Sequence, residues 1–164
     1  LKIGSQTSML KKFRANFRSF EEFLLFTQIF SMIILLPIML RVFSIPRLMS
    51  MLTPRDLKVY QRLKLENLKN KTVKFTDYIL SRNSLTSENT CLKRTLVLYY
   101  FLRKWGMDVQ VCFGAKYNTL SDSKTQKRLE GHAWLLYHGD IFLERNTEVT
   151  KTYKLTYCFP DKME

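Results

Sequence analysis

Three side chains in this sequence have the types and the order that sulfur-based acyl transfer requires: Cys91, His132 and Glu144. In such chemistry a thiolate attacks a carbonyl carbon, an imidazole takes and returns the proton, and a carboxylate orients the imidazole. Cys91 opens a run in which Leu92, Leu96, Leu98, Tyr99, Phe101 and Leu102 recur at helical spacing. Polar residues Ser87-Glu88-Asn89-Thr90 precede it, and Arg103, Lys104 and Gly106 supply the signals of a helix end. Cys91 is therefore expected in the first turn of a helix, where unpaired N–H groups and the dipole favour a thiolate. Spacing alone is better met by a packed thiol and a hydrogen-bonded core histidine.

The elements that must carry the other two residues follow Gly106, where the period changes. Val109, Val111 and Phe113 alternate with Gln110, Cys112 and Gly114, the pattern of a strand. Cys112 falls among apolar neighbours and reads as an inert packed thiol. Lys116 to Glu130 is a polar loop, long enough to serve as a substrate-facing flap. Gly131 to Tyr137 is a second strand, joined by a hairpin around His138-Gly139 to a third containing Ile141-Phe142-Leu143-Glu144. A two-residue turn would pair Tyr137 with Asp140 and set Arg145 opposite His132. A three-residue loop with Gly139 in the left-handed position would pair Leu136 with Asp140 and set Glu144 opposite His132. The glycine favours the second register, which predicts Glu144 as the cross-strand neighbour of His132.

The 164 residues suffice for one small domain with a moderate core, and the 46% hydrophobic content excludes a wholly disordered chain. Three cysteines without a C-x-x-C pair argue against a disulfide framework or a zinc site and point to a reducing, cytoplasmic compartment. Two histidines lacking metal-ligand spacing make a metal centre improbable, and nothing calls for a cofactor. The net charge of +13 suggests an anionic membrane or an acidic partner. No recognition helix, zinc finger or aromatic RNA-binding signature accompanies that charge, which argues against nucleic acid.

Residues 1–80 carry 14 Lys/Arg against 5 Asp/Glu and read as a mostly helical, basic and hydrophobic region. Within it, residues 1–20 interleave Phe13, Phe17 and Phe20 with basic residues as an amphipathic helix. Phe23 to Leu40 is an uncharged apolar run that Pro37 should kink or end. Its length reaches the lower limit for a membrane span, but a buried or membrane-leaning helix fits it better. Thr53-Pro54-Arg55-Asp56 reads as the start of the first of two short helices, the second beginning near Phe75. Nothing in this half carries recognisable chemistry. The fold class expected is α+β, with the chemistry confined to residues 81–164.

The block Cys91-Leu92-Lys93-Arg94-Thr95-Leu96-Val97-Leu98-Tyr99, with Leu102-Arg103-Lys104-Trp105-Gly106, resembles the "CLxRSLAL…LLRRxG" block of the lasso peptide leader peptidases. Gly131-His132-Ala133-Trp134 is similar to that family's "HAW" block, and His138-Gly139 to its turn. The motif match covers about residues 90–146. The resemblance implies a transglutaminase/papain-like core, a Cys-bearing helix packed on a small antiparallel sheet. It also implies a cysteine peptidase that removes the leader from a ribosomally made precursor peptide, with Cys91, His132 and Glu144 as its triad. The partners it implies are that precursor, a leader-binding recognition protein and an asparagine-synthetase-like cyclase. Residues 1–80 show no run of alternating strands, so the standalone type of peptidase is implied, with recognition supplied in trans. The chain departs from the family at Glu144, where Asp is usual, at Leu136, where an acid is frequent, and at Thr95, which replaces Ser. Asn146 and Asp140 stay open as substitutes for Glu144. A transglutaminase-like acyltransferase and a membrane-associated, non-catalytic binding protein are the alternative readings.

Overall fold

A computed structural model describes residues 19–55, 60–82, 90–119 and 127–161. The expected amphipathic helix of residues 1–20 lies almost wholly outside them.

Helix α1 (Phe20–Val42) starts at Ser19, whose hydroxyl accepts the Glu22 N–H at 3.2 Å, with Glu21 and Glu22 in the first turn and Arg41 in the last. It runs past Pro37 to Val42, so the proline, expected to kink or end the helix, does not end it. Helix α2 (Ile45–Leu52) carries a proline in its first turn, a position that needs no N–H donor. Thr53-Pro54-Arg55 follows that helix and is not itself helical, and the rest of the helix start expected there, from Asp56, lies outside the described residues. The two short helices expected beyond it are the single helix α3 (Arg62–Arg82), because Thr72 and Thr76 are buried on its core-facing side and continue the apolar stripe.

Helix α4 (Thr90–Lys104) begins one residue before Cys91. It ends as expected at Gly106, whose φ of +82° allows Met107 N–H to reach Leu102 O at 3.0 Å and Gly106 N–H to reach Arg103 O at 2.9 Å. That paired closure is the Schellman arrangement, which a side chain at this position would resist.

Four antiparallel strands follow in the spatial order β3-β2-β1-β4: β1 (Val109–Thr119), β2 (Lys127–Tyr137), β3 (Asp140–Phe142) and β4 (Lys154–Phe159). Of the polar stretch expected as a flap, Lys116 to Thr119 and Lys127 to Glu130 extend the β1–β2 ladder, which stays in register to Thr119 opposite Lys127, and residues 120–126 lie outside the described residues. Between β3 and β4 lies the short helix α5 (Thr147–Lys151). The mixed helix-and-sheet architecture is α+β, as expected.

One continuous core joins these elements. Leu25, Ile29, Ile33 and Leu36 of α1, Leu48 and Met49 of α2, and Ile79 of α3 meet Leu96 to Leu102 of α4, which cover Val109, Val111 and Leu135 of the sheet. Tyr99, fully buried, finds a polar partner in Thr53 Oγ1 at 2.9 Å.

Cys112 is not a free packed thiol. It stands directly opposite Cys158 across β1 and β4, with Cα atoms 4.1 Å apart, and the two form a disulfide. The odd count concealed one bonded pair and one free thiol, Cys91. Strand β4, which carries Cys158, went unread in the sequence; its pairing with β1 shifts register at Phe113/Gly114.

Candidate active site

The hairpin uses the other of the two registers. Tyr137 pairs with Asp140 through a two-residue turn in which His138 and Gly139 both have positive φ, 53° and 90°. That is the turn type whose twist suits a tight hairpin, and histidine tolerates the left-handed region better than most residues. Extended, this register would set Arg145 beside His132. The ladder stops first: β3 pairs only with Leu135 to Tyr137. At Leu143 the backbone turns through a φ of +57°, a costly conformation for a branched side chain, and leaves the sheet. Glu144 then arrives at His132 by a different path, with Oε2 3.6 Å from the imidazole Nε2. Glu144 was the right neighbour for the wrong geometrical reason.

Arg94 holds that turn in place. Its guanidinium donates to Leu143 O at 2.8 Å and to Asp77 Oδ1 at 2.7 Å, and Arg145 adds a second contact to the same carboxylate at 3.1 Å. Burial would raise the Asp77 pKa, but the hydrogen bonds and charges of Arg94 and then Arg145 hold it below the ordinary carboxylate value. Asp77 belongs to α3, so the N-terminal half does contribute to the site, contrary to expectation. No motif marks Asp77 in the sequence; the contact is made only when α3 packs on α4.

Cys91 sits half-buried at the start of α4, and its face of that helix is latched to β2 one turn later. Thr95 Oγ1 donates to Ala133 O at 2.9 Å, immediately beside His132. Serine or threonine can make that bond, which accounts for the departure at Thr95. The Cys91 thiol is hydrogen-bonded to His132, and this contact is the largest cause of a pKa below the thiol's ordinary value. Burial opposes it, while the backbone of Ala133, the imidazolium charge and the backbone of Leu92 support it. The His132 pKa is raised from 6.5 to about 9, first by Cys91 and second by Glu144, against the effect of burial. Burial raises the Glu144 pKa, but His132, the Arg145 N–H and the Arg94 charge outweigh it, so its value is lowered. The shifts of both groups favour a thiolate–imidazolium pair beside a carboxylate over the neutral thiol and imidazole.

The nitrogen assignments are chemically specific. Nε2 of His132 faces both Glu144 and Thr150 Oγ1, the latter at 3.3 Å, which leaves Nδ1 for the sulfur. The Thr150 hydroxyl donates to Asn146 O at 3.1 Å, so towards His132 it acts as acceptor. Thr150 is buried and is a site residue that the sequence reading missed, since nothing in its surroundings marks it out. Of the substitutes for Glu144, Asn146 spends its side chain capping α5, accepting from Val149 N–H at 3.2 Å. Asp140 lies at the hairpin turn opposite Tyr137. Neither is brought to His132 by its side chain.

Aromatic rings wall the far side of the imidazole, with Tyr153 4.9 Å and Trp134 5.9 Å away between centroids. Gly114 makes room for Trp134: a Cβ there would meet the indole at 2.7 Å. On the thiol side a cleft of about 240 Å³ opens between Asp77, Leu80 and Ser81 of α3, Thr90 and Cys91 of α4, and Arg145. Among the described residues no group of three or more His, Cys, Asp or Glu is placed to hold a metal ion.

This arrangement, a thiol on a helix start facing an imidazole on an antiparallel sheet, has the geometry that thiol-dependent acyl transfer requires. Residues 32–157 match the family model of the transglutaminase-like superfamily, and the chain belongs to that superfamily. Its members are typically cysteine peptidases or acyltransferases. No curated protein and no solved structure matches the chain significantly.

Proposed function

We propose that this chain is a cysteine peptidase that removes the leader from a ribosomally made precursor peptide during lasso peptide maturation. The observation that carries the hydrolytic reading is the Cys91 thiol hydrogen-bonded to a His132 whose pKa is raised to about 9. The resemblance of the Cys91 and His132 blocks to the leader peptidases supports the substrate class.

In the reaction, the Cys91 thiolate attacks the carbonyl carbon of the peptide bond that joins leader to core. The oxyanion forms at the open end of α4, where the Cys91 N–H is among the donors without a helical partner. Imidazolium His132 gives its Nδ1 proton to the departing core amine, leaving a thioester between Cys91 and the leader. Neutral His132 then takes a proton from water, the resulting hydroxide attacks the thioester, and the leader leaves as a carboxylate. Glu144 and Thr150 accept the Nε2–H throughout and hold the ring so that Nδ1 faces sulfur. The precursor is presented by a separate leader-binding protein, and the freed core passes to an ATP-dependent, asparagine-synthetase-like cyclase.

Mass spectrometry of precursor peptide incubated with the chain and a leader-binding protein tests the reading. Leader and core are expected as separate products, and Cys91→Ala should lower their formation by at least about 10⁴-fold with folding intact. Undiminished cleavage by Cys91→Ala would overturn it. Release of ammonia with transfer to an added amine, without cleavage, would instead establish the acyltransferase.

A further inference from the structure

Helix α1 is mostly apolar, with Thr27, Gln28 and Ser31 exposed in its first half, yet the protein covers only one stripe of it. Leu25, Ile29, Ile33 and Leu36 are buried. On the opposite face, at helical spacing, Phe20, Leu24, Phe30, Ile34, Ile38 and Val42 are exposed, with Ile38 at 58% and Val42 at 66%. Single exposed apolar side chains are ordinary, but a row along a helix that only Thr27 and Ser31 interrupt marks a surface that something covers.

Charge identifies what covers it. Residues 23–55 contain no Asp or Glu, while Arg41, Arg47 and Arg55 are all exposed. By sequence, residues 1–20 add Lys2, Lys11, Lys12, Arg14 and Arg18, again with no acid. The two acids of α1 stand at its start and off the exposed row, and Glu22 is engaged by Lys71 at 2.7 Å. A protein partner is met by a rim of both signs, whereas an apolar strip with a purely cationic rim complements acyl chains beneath a layer of phosphates. The helix is long and apolar enough to cross a bilayer. Its buried stripe is nevertheless packed into the core, with the Phe26 ring edge-on to Phe75 of α3 at 5.5 Å, so it lies along the protein and not across a membrane.

We propose that the outward face of α1 docks in the plane of an anionic lipid bilayer, with its apolar row in the headgroup boundary and the arginines on lipid phosphates. The inference does not depend on the reaction at Cys91.

Flotation of the purified chain with lipid vesicles tests it, comparing phosphatidylcholine alone with phosphatidylcholine plus phosphatidylglycerol. Binding is expected only to the anionic vesicles, to weaken as salt rises, and to be released by alkaline carbonate. The exposed-face variant Ile34→Glu/Ile38→Glu should lose binding, and Arg41→Gln/Arg47→Gln should weaken it by roughly tenfold. Alkylation of Cys91 should be unchanged in both, which certifies the fold. Equal binding to neutral vesicles, or retention by Ile34→Glu/Ile38→Glu, would overturn the proposal. So would carbonate-resistant insertion, or self-association through this face that the same variant abolishes.

Discussion

Two kinds of scaffold meet at His132. Cys91 and His132 ride on regular elements, a capped helix and a long strand, joined by the Thr95 hydroxyl to the Ala133 carbonyl. Glu144 and Thr150 hang from the return between β3 and β4, which begins at a left-handed leucine pinned from outside by Arg94 and includes only the short helix α5. The difference assigns labour. Regular backbone sets the distance between nucleophile and base, and the return sets only the rotation of the imidazole. Losing the first should abolish chemistry; loosening the second should degrade it by steps.

The pH dependence of Cys91 alkylation gives the largest contrast. An ordinary thiol loses about 100-fold in rate between about pH 8 and pH 6 as its thiolate vanishes. Cys91 should lose less than that over the same range, because its pKa is lowered by His132. The sign for His132 is the opposite. Its pKa rises from 6.5 to about 9 on folding, so the stabilisation it lends is complete below pH 6.5 and disappears as pH climbs through about 9. Leader cleavage should accordingly fall on the alkaline side as the imidazolium is lost. An ordinary thiol titration for Cys91 would break the division of labour outright.

Replacing Glu144 by Gln should lower kcat by less than Cys91→Ala does, while Cys91 still alkylates quickly, since the orienting member of a triad is the least costly to lose. A complete loss would place Glu144 with the regular pair. Thr150→Val should lower kcat about fivefold, with Thr150→Ser close to wild type and KM unmoved in both. A steady-state comparison of the three proteins separates that role from mere packing, which Val would satisfy better than Ser. The smallest change in rate is expected for Arg94→Met. It should cost about 2 kcal/mol in denaturant unfolding, because a charged donor to Asp77 and to the Leu143 carbonyl is lost, with only a few-fold fall in kcat.

The same division explains what could be read from the chain itself. The helix of Cys91 announces itself by apolar spacing and a glycine stop, and the strand of His132 by alternation; both are local signals, and both elements form as expected. Glu144 could be nominated by chemistry, but its route could not be read, because the sequence does not state where a ladder ends. Leu143 gives no sign of a left-handed turn, and its conformation is imposed by Arg94 and Asp77 from distant helices. Thr150 and Asp77 were illegible for the same reason: each gains its place only through tertiary packing. Pro37 misled in the other direction, since tertiary burial of Leu36 and Ile33 carries the helix past a residue that would end it in isolation.

The Cys112–Cys158 bond encloses His132, Glu144 and Thr150 in one covalent ring and leaves Cys91 outside it. Base and orienting groups are thus tethered to each other whatever the helices do, while the sulfur they serve is held only by noncovalent packing. A reductant added to keep Cys91 active can therefore open the loop that carries its partners. The best working conditions for this protein should be a compromise between protecting one sulfur and sparing the other two.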